Sequence, residues 1–194
     1  MNNQLKLMFE CEARSMIHRD GIEDLLTYLH NSDFYEAPAS TKYHNAFEGG
    51  LVEHSLCVYH WMFDIDYGLG MTKNNIKLPS VESMAIVSLL HDVCKIDTYK
   101  VDYKNAKNQE TGKWERVPYY IMQDESGFGA HGAKSAAIVS KFIKLTDEEY
   151  IAILHHMGAW DKSIYSDPGK AYEKYPLAWL LHVADEAATY ISKT

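Results

Sequence analysis

Arginine is scarce in this chain. Only Arg14, Arg19 and Arg116 stand among its 19 basic residues, and 27 acidic residues take the net charge to −8. That is a poor electrostatic footprint for gripping duplex DNA or RNA. A small phosphorylated ligand remains compatible with it, because bound dications would change the local charge of a pocket. Long apolar runs are missing too, which argues against a membrane-spanning helix. The opening Met1-Asn2-Asn3-Gln4-Leu5-Lys6 lacks the basic-then-apolar order of an export signal, so the cytoplasm is the expected compartment. Cysteines are few, odd in number and not closely paired (Cys11, Cys57, Cys94), which argues for free thiols. No repeat, low-complexity tract or linker divides the chain, and the expectation is one domain over residues 1–194.

What is present is helical periodicity. Leu5, Met8, Phe9, Met16 and Ile17 mark one amphipathic helix, and Ile22, Leu25, Leu26 and Leu29 a second. After a turn-rich stretch, about Asn31 to Glu48, Gly49-Gly50 opens a helix expected from Leu51 to Tyr67 and ended by Gly68-Leu69-Gly70. Ser80 is a plausible N-cap for a helix reaching Val93. Tyr99, Val101 and Tyr103 alternate with polar residues, Thr111-Gly112 supplies a turn, and Trp114 to Met122 returns, which reads as an inserted β-hairpin over about 99–122. Gly127 to Gly132 is a glycine-rich loop before a helix from Ala133 to Lys144. Thr146 to Glu149 is a capping box for the next helix, which ends near His155-His156. Met157 to Tyr175 reads as loop, and Pro176 as the first residue of a last helix reaching Ile191.

The residues that carry chemistry are histidines and aspartates on inward-facing positions. His91-Asp92 closes the apolar run Met84 to Leu90. A carboxylate there is costly unless something positive holds it. Asp185 has Leu181 and Ala178 before it and Ala188 after it on one helical face. His54 shares its face with Leu51, Val58 and Trp61. A lone histidine on an apolar face is usually a satisfied core residue. Several of them with two inward aspartates suggest a common cause, and imidazole plus carboxylate is the donor set of a divalent metal.

His131 precedes a helix N-terminus, beside which a metal–phosphate site is compatible; as a bare loop residue it would mean nothing. His155 and His156 point about 100° apart, so one of them is the expected ligand. His155 is favoured, with His156 near the substrate or as the alternative. Lys95, one turn after Asp92, suits a substrate anion or simply the helix C-terminus. Lys134 and His44 are weaker candidates for contacting substrate.

The ordered set resembles the HD-domain metal-dependent phosphohydrolase superfamily. The resemblance rests on His54 in Gly49-Gly50-Leu51-Val52-Glu53-His54, on Leu89-Leu90-His91-Asp92-Val93-Cys94-Lys95, and on Leu181-His182-Val183-Ala184-Asp185. The Gly-Gly-Leu-Val-Glu-His stretch is similar to the HD domains of certain 3′–5′ exoribonucleases. The resemblance implies a mostly α fold, a helical bundle in which the small hairpin is an insertion. It implies His54, His91, Asp92 and Asp185 on one metal, with Asp92 bridging to a second held by His131 and His155.

The implied cofactors are one or two divalent ions (Mn, Fe, Co, Ni or Mg). The implied activity is hydrolysis of a phosphoester, on a nucleotide or similar small phosphorylated substrate, by metal-activated water. Asp92, Lys95 and Asp185 would do catalytic work; Lys95, His156, Lys134 and His44 would contact substrate. Two alternatives stay open: a di-iron oxygenase with the same ligand order, and a non-catalytic module that binds a nucleotide or partner. The expected partners exclude duplex nucleic acid and membrane, and an oligomer is possible.

Overall fold

The computed structural model describes residues 2–71, 79–124, 127–161 and 167–192. Eight α-helices and one hairpin occupy them, in the order α1 (Asn2–Met16), α2 (Ile22–His30), α3 (Gly50–Gly70), α4 (Val81–Leu90), β1 (Tyr99–Lys107), β2 (Trp114–Met122), α5 (His131–Val139), α6 (Asp147–His155), α7 (Pro168–Lys174) and α8 (Pro176–Tyr190). The fold is mostly α, as the periodicity predicts. Helix α4 is the centre of it. All its residues from Met84 to Leu90 are buried, and α1, α3, α6 and α8 pack around it. Burial on all sides explains why its apolar residues form a continuous run rather than a stripe. Ser80 caps it by accepting from the Ser83 N–H.

Several boundaries differ from those the sequence suggests. Helix α3 runs through Gly68 to Gly70, since glycine costs a helix only about 1 kcal/mol. Helix α5 stops at Val139 rather than Lys144. There the chain turns so that the Phe142 carbonyl meets Gly21, where a Cβ would lie only 2.0 Å from that oxygen. The stretch expected as loop from Met157 to Tyr175 contains a 3-10 turn at Gly158–Trp160 and helix α7; its residues 162–166 lie outside those described. Helix α7 has an Asp167 cap and Pro168 at its start, helix-start signals that lie within the stretch expected as loop.

The hairpin is antiparallel, with Val101 opposite Tyr120 and Tyr103 opposite Pro118. It projects from the bundle. Trp114 is 72% exposed, and so is much of Tyr103, while Trp160 outside the hairpin is 70% exposed; neither tryptophan packs in the core. What the hairpin fixes is its root, which follows the end of α4 and returns to the loop before α5.

The Thr146–Glu149 capping box is present with both hydrogen bonds. Glu149 also does a second task that its position in a cap did not reveal. Its side chain is fully buried and accepts from the two terminal guanidinium nitrogens of Arg19 at 2.7 and 3.0 Å and from Ser83 Oγ at 2.7 Å. Arg19 donates in addition to the Lys144 carbonyl. One carboxylate thus ties the α1–α2 turn, α4 and α6 together. Burial opposes its charge, but the bonds from Arg19, Thr146 and Ser83 outweigh burial and hold its pKa below the ordinary value. Glycine has a comparable role where α5 meets α6. A Cβ on Gly132 would stand 2.3 Å from the Leu154 carbonyl oxygen and 2.5 Å from that of Ile153.

Replacing Arg19 by alanine leaves the Glu149 charge buried without a counter-charge, and chemical denaturation should record a loss of about 3 kcal/mol. The stability that Glu149 adds over a Glu149→Gln variant should be complete above the ordinary glutamate pKa of about 4.3 and fade as pH falls through its lowered native value. Unfolding curves of the two proteins should therefore converge in acid. Gly132→Ala should lower the melting temperature measurably, because backbone, not a flexible side chain, blocks the added methyl.

Candidate metal centre

Four elements bring their ends or faces to one buried point. His54 lies one turn into α3 and is 1% exposed. His91 directly follows α4 and is fully buried, as is His156, which directly follows α6. Asp185 lies on α8, whose inward stripe of Leu177, Ala178, Leu181, Ala184 and Ala188 is buried around it. Asp92 comes after the helix has ended, with φ −110° and ψ 14°. That change of backbone direction lets adjacent His91 and Asp92 side chains face the same centre, with His91 Nε2 3.4 Å from Asp92 Oδ2.

The Asp92 carboxylate is the hub. Its Oδ2 lies 2.5 Å from Lys95 Nζ, 3.4 Å from His91 Nε2 and 3.8 Å from His54 Nε2. Its Oδ1 lies 3.6 Å from His156 Nε2. His54 Nε2 is 3.1 Å from Asp185 Oδ1. Two overlapping groups result, His54–His91–Asp185 and His91–Asp92–His156, each with ligand atoms within 4.8 Å of one another.

The tautomers are set from behind. His91 Nδ1 is 2.9 Å from the Ser88 carbonyl, and His156 Nδ1 is 2.7 Å from the Ile153 carbonyl. Each carbonyl needs an N–H, which leaves both Nε2 atoms as lone-pair donors aimed at Asp92. Both Nε2 atoms are buried without a hydrogen-bond partner among the described residues. Buried polar nitrogens of that kind are costly, and a cation is the partner their lone pairs fit. Donor atoms about 2 Å from a shared cation lie roughly 3–3.5 Å apart, close to the separations here. The residues therefore fit a divalent metal.

Electrostatics agree with the geometry. Burial opposes charge on Asp92, but its charged neighbours, the Lys95 ammonium first among them, outweigh burial and hold the carboxyl well below its usual range. Asp185 is also held low against burial, by the hydrogen bond from His54. Burial pushes His54 down, toward the neutral imidazole. It pushes the Cys94 thiol up to about 12, so Cys94 is a neutral neighbour, 3.6 Å from His131 Nδ1.

His131 begins α5 and its ring borders this centre through Cys94, outside both close groups. His155, the residue the sequence favoured, also stays outside them. It ends α6 with its carbonyl accepting from Tyr172, and Asp161 is the charge that acts on its ring. Both histidines are buried, together with Glu149, Ala152 and Ile153 of α6, but His156 stands three residues after Ile153 and seven after Glu149, on the face turned to Asp92. The spacing from Ile153 marks His156 as a candidate for that face, but with His155 buried as well it does not by itself separate the two. His182, set aside as structural, places its Nδ1 2.7 Å from the His156 carbonyl and so buttresses that residue.

His44 packs its ring 4.8 Å from that of His54, and burial takes its pKa down to about 4. Gly50 permits this closeness, since a Cβ there would sit 2.0 Å from the Asn45 carbonyl oxygen. Lys134 lies farther along α5, paired with Asp124 at 3.2 Å.

No helix among the described residues is long and apolar enough to cross a membrane. Residues 51–190 match the family model of the HD domain. No curated protein and no solved structure matches the chain. The matched span begins just before His54 and ends just after Asp185, and so encloses every member of the cluster. The chain therefore belongs to the HD-domain family of metal-dependent phosphohydrolases.

Proposed function

We propose that this protein hydrolyses a phosphoester in a small phosphorylated substrate, a nucleotide or a compound of similar size, by attack of water at a centre of one or two divalent metals. The observation that carries this reading is the pair of orphaned Nε2 atoms of His91 and His156 on opposite oxygens of one buried carboxylate. His54, His91, Asp92 and Asp185 would hold one ion. Asp92, through Oδ1, and His156 would begin the site of a second, with His131 nearest to complete it. Bound divalent ions supply Lewis acidity toward a phosphoryl oxygen and lower the pKa of water.

The chain's own groups do the rest. Asp92 stays ionised and keeps its position through contacts on both oxygens. Lys95, whose pKa is raised by the Asp92 charge against the effect of burial, remains a cation. It lies 12% exposed at the edge of the centre, where it can neutralise a phosphoryl oxygen as negative charge grows there. Asp185 lies 3.1 Å from His54 Nε2 and can orient a water from that side. The surrounding apolar residues of α4 and α8 exclude bulk water and strengthen each of these interactions.

Elemental analysis of gently purified protein should find bound divalent metal, and His156→Ala should lose more of it than His155→Ala. Asp92→Ala should reduce phosphate release from a panel of phosphoesters by about a hundredfold or more while the protein stays folded by circular dichroism. Oxygen consumption during turnover would point to oxidative chemistry, and full activity in Asp92→Ala would overturn the hydrolase reading.

A further inference from the structure

Two cavities share one ion pair, a buried lysine and a partly exposed aspartate. The inner cavity, about 340 Å3, extends from Cys94 and His131 to Gly127 and Gly129 under Met122 of the hairpin root. The outer cavity, about 600 Å3, is lined by Tyr28, Tyr99 and Phe128 among others. Lys134 and Asp124 line both. Lys134 is 8% exposed, and its Nζ is 3.1 Å from Thr98 Oγ1 and 3.2 Å from Asp124 Oδ1. The Asp124 side chain is 34% exposed.

Burying an ammonium group is costly unless it is well compensated. Among the described residues a hydroxyl and a half-exposed carboxylate are the acceptors serving its three donors. The position is specific. His131 and Lys134 stand three apart on α5, so their side chains share a face with Cβ atoms about 5–6 Å apart. His131 reaches the metal centre through Cys94, whose Sγ is 4.0 Å from Asp92 Oδ1. The inner cavity thus has Cys94 and His131, which border the metal centre, at one end and the Lys134 cation one helical turn along α5 from His131.

We infer that Lys134 anchors a second anionic group of the substrate, carboxylate or phosphate, one helical turn along α5 from His131 at the border of the metal centre. The inference rests on the hydrolase reading above and narrows it to small phosphoesters that carry another anion. The incoming anion takes the place of Asp124, which swings into the solvent it already touches. Asp124 is then a competitor for the cation, and Lys134 a specificity-determining residue. The rest of such a substrate extends into the outer cavity beside Tyr99 and Phe128.

Two matched substrate pairs test this with the metal-loaded full chain. 3-Phosphoglycerate carries a carboxylate that glycerol 3-phosphate lacks, and fructose 1,6-bisphosphate a phosphate that fructose 6-phosphate lacks. The ratio of kcat/KM within a pair should fall about tenfold in Lys134→Met and rise in Asp124→Asn. The pair that responds identifies the anion. A second measurement does not depend on turnover. Calorimetric titration of the metal-free chain with pyrophosphate should show binding that weakens about tenfold in Lys134→Met and tightens in Asp124→Asn. No binding by the wild type, or equal affinity in all three proteins, overturns the inference even if phosphate release persists. Pyrophosphate binding that follows this order, without phosphate release from any substrate, retains the anion site and overturns the hydrolase reading instead.

Discussion

The Asp92 carboxylate is 3% exposed in the middle of a helical core, where an isolated anion would cost several kcal/mol or take up a proton. It remains charged because the Lys95 ammonium pairs with one oxygen, while the imidazoles of His91, His156 and His54 converge on the same carboxylate as ligands for a shared cation. That requirement constrains the bundle. α3, α6 and α8 must each present one residue at the same depth as the end of α4, and the packing of these helices against one another sets that depth. Moving one helix along another would separate a partner from the carboxylate and leave a buried charge under-compensated.

The close approaches elsewhere in the fold serve this convergence. Gly132 lets the start of α5 touch the end of α6, which sets His131 near His156. Gly50 lets the loop bearing His44 fold onto the start of α3, beside His54. The Arg19–Glu149 pair binds the α1–α2 turn to α6 and, through Ser83, to α4. It lies outside the metal cluster, yet it clamps two of the helices whose ends carry His91 and His156. Rigid carbonyl contacts at Ser88 and Ile153 then fix the ring orientations. A metal site of this type needs such support behind its ligands, because a ring free to rotate binds weakly.

The hairpin stands apart from this logic. Its strands pair with each other and expose much of their surface, and a two-stranded ribbon gains little stability alone. Its root matters more than its tip. Met122 roofs the inner cavity and Tyr99 lines the outer one, so the insertion shapes the space beyond the metal centre while the helices build the centre itself.

Much of this was legible in the sequence. The periodicity of α1, α2, α4 and α8, the caps at Ser80 and Thr146, and the alternation of the hairpin are local signals that local physics obeys. The inward places of His54, His91 and Asp185 followed from the apolar residues three and four positions away. What the sequence could not decide depended on contacts between distant segments. His156 rather than His155 faces Asp92, because the rotation of α6 is fixed by Glu149 meeting Arg19 and by Gly132 meeting the Leu154 carbonyl. Helix α5 ends early because Phe142 must pass over Gly21. Lys134 is a weak substrate candidate in the sequence and gains its significance from the fold, which places it between two cavities. The chain's own pattern determined which faces turn inward; only the packed bundle determined which atoms meet there, because that depends on the rotation and depth of helices far apart in sequence.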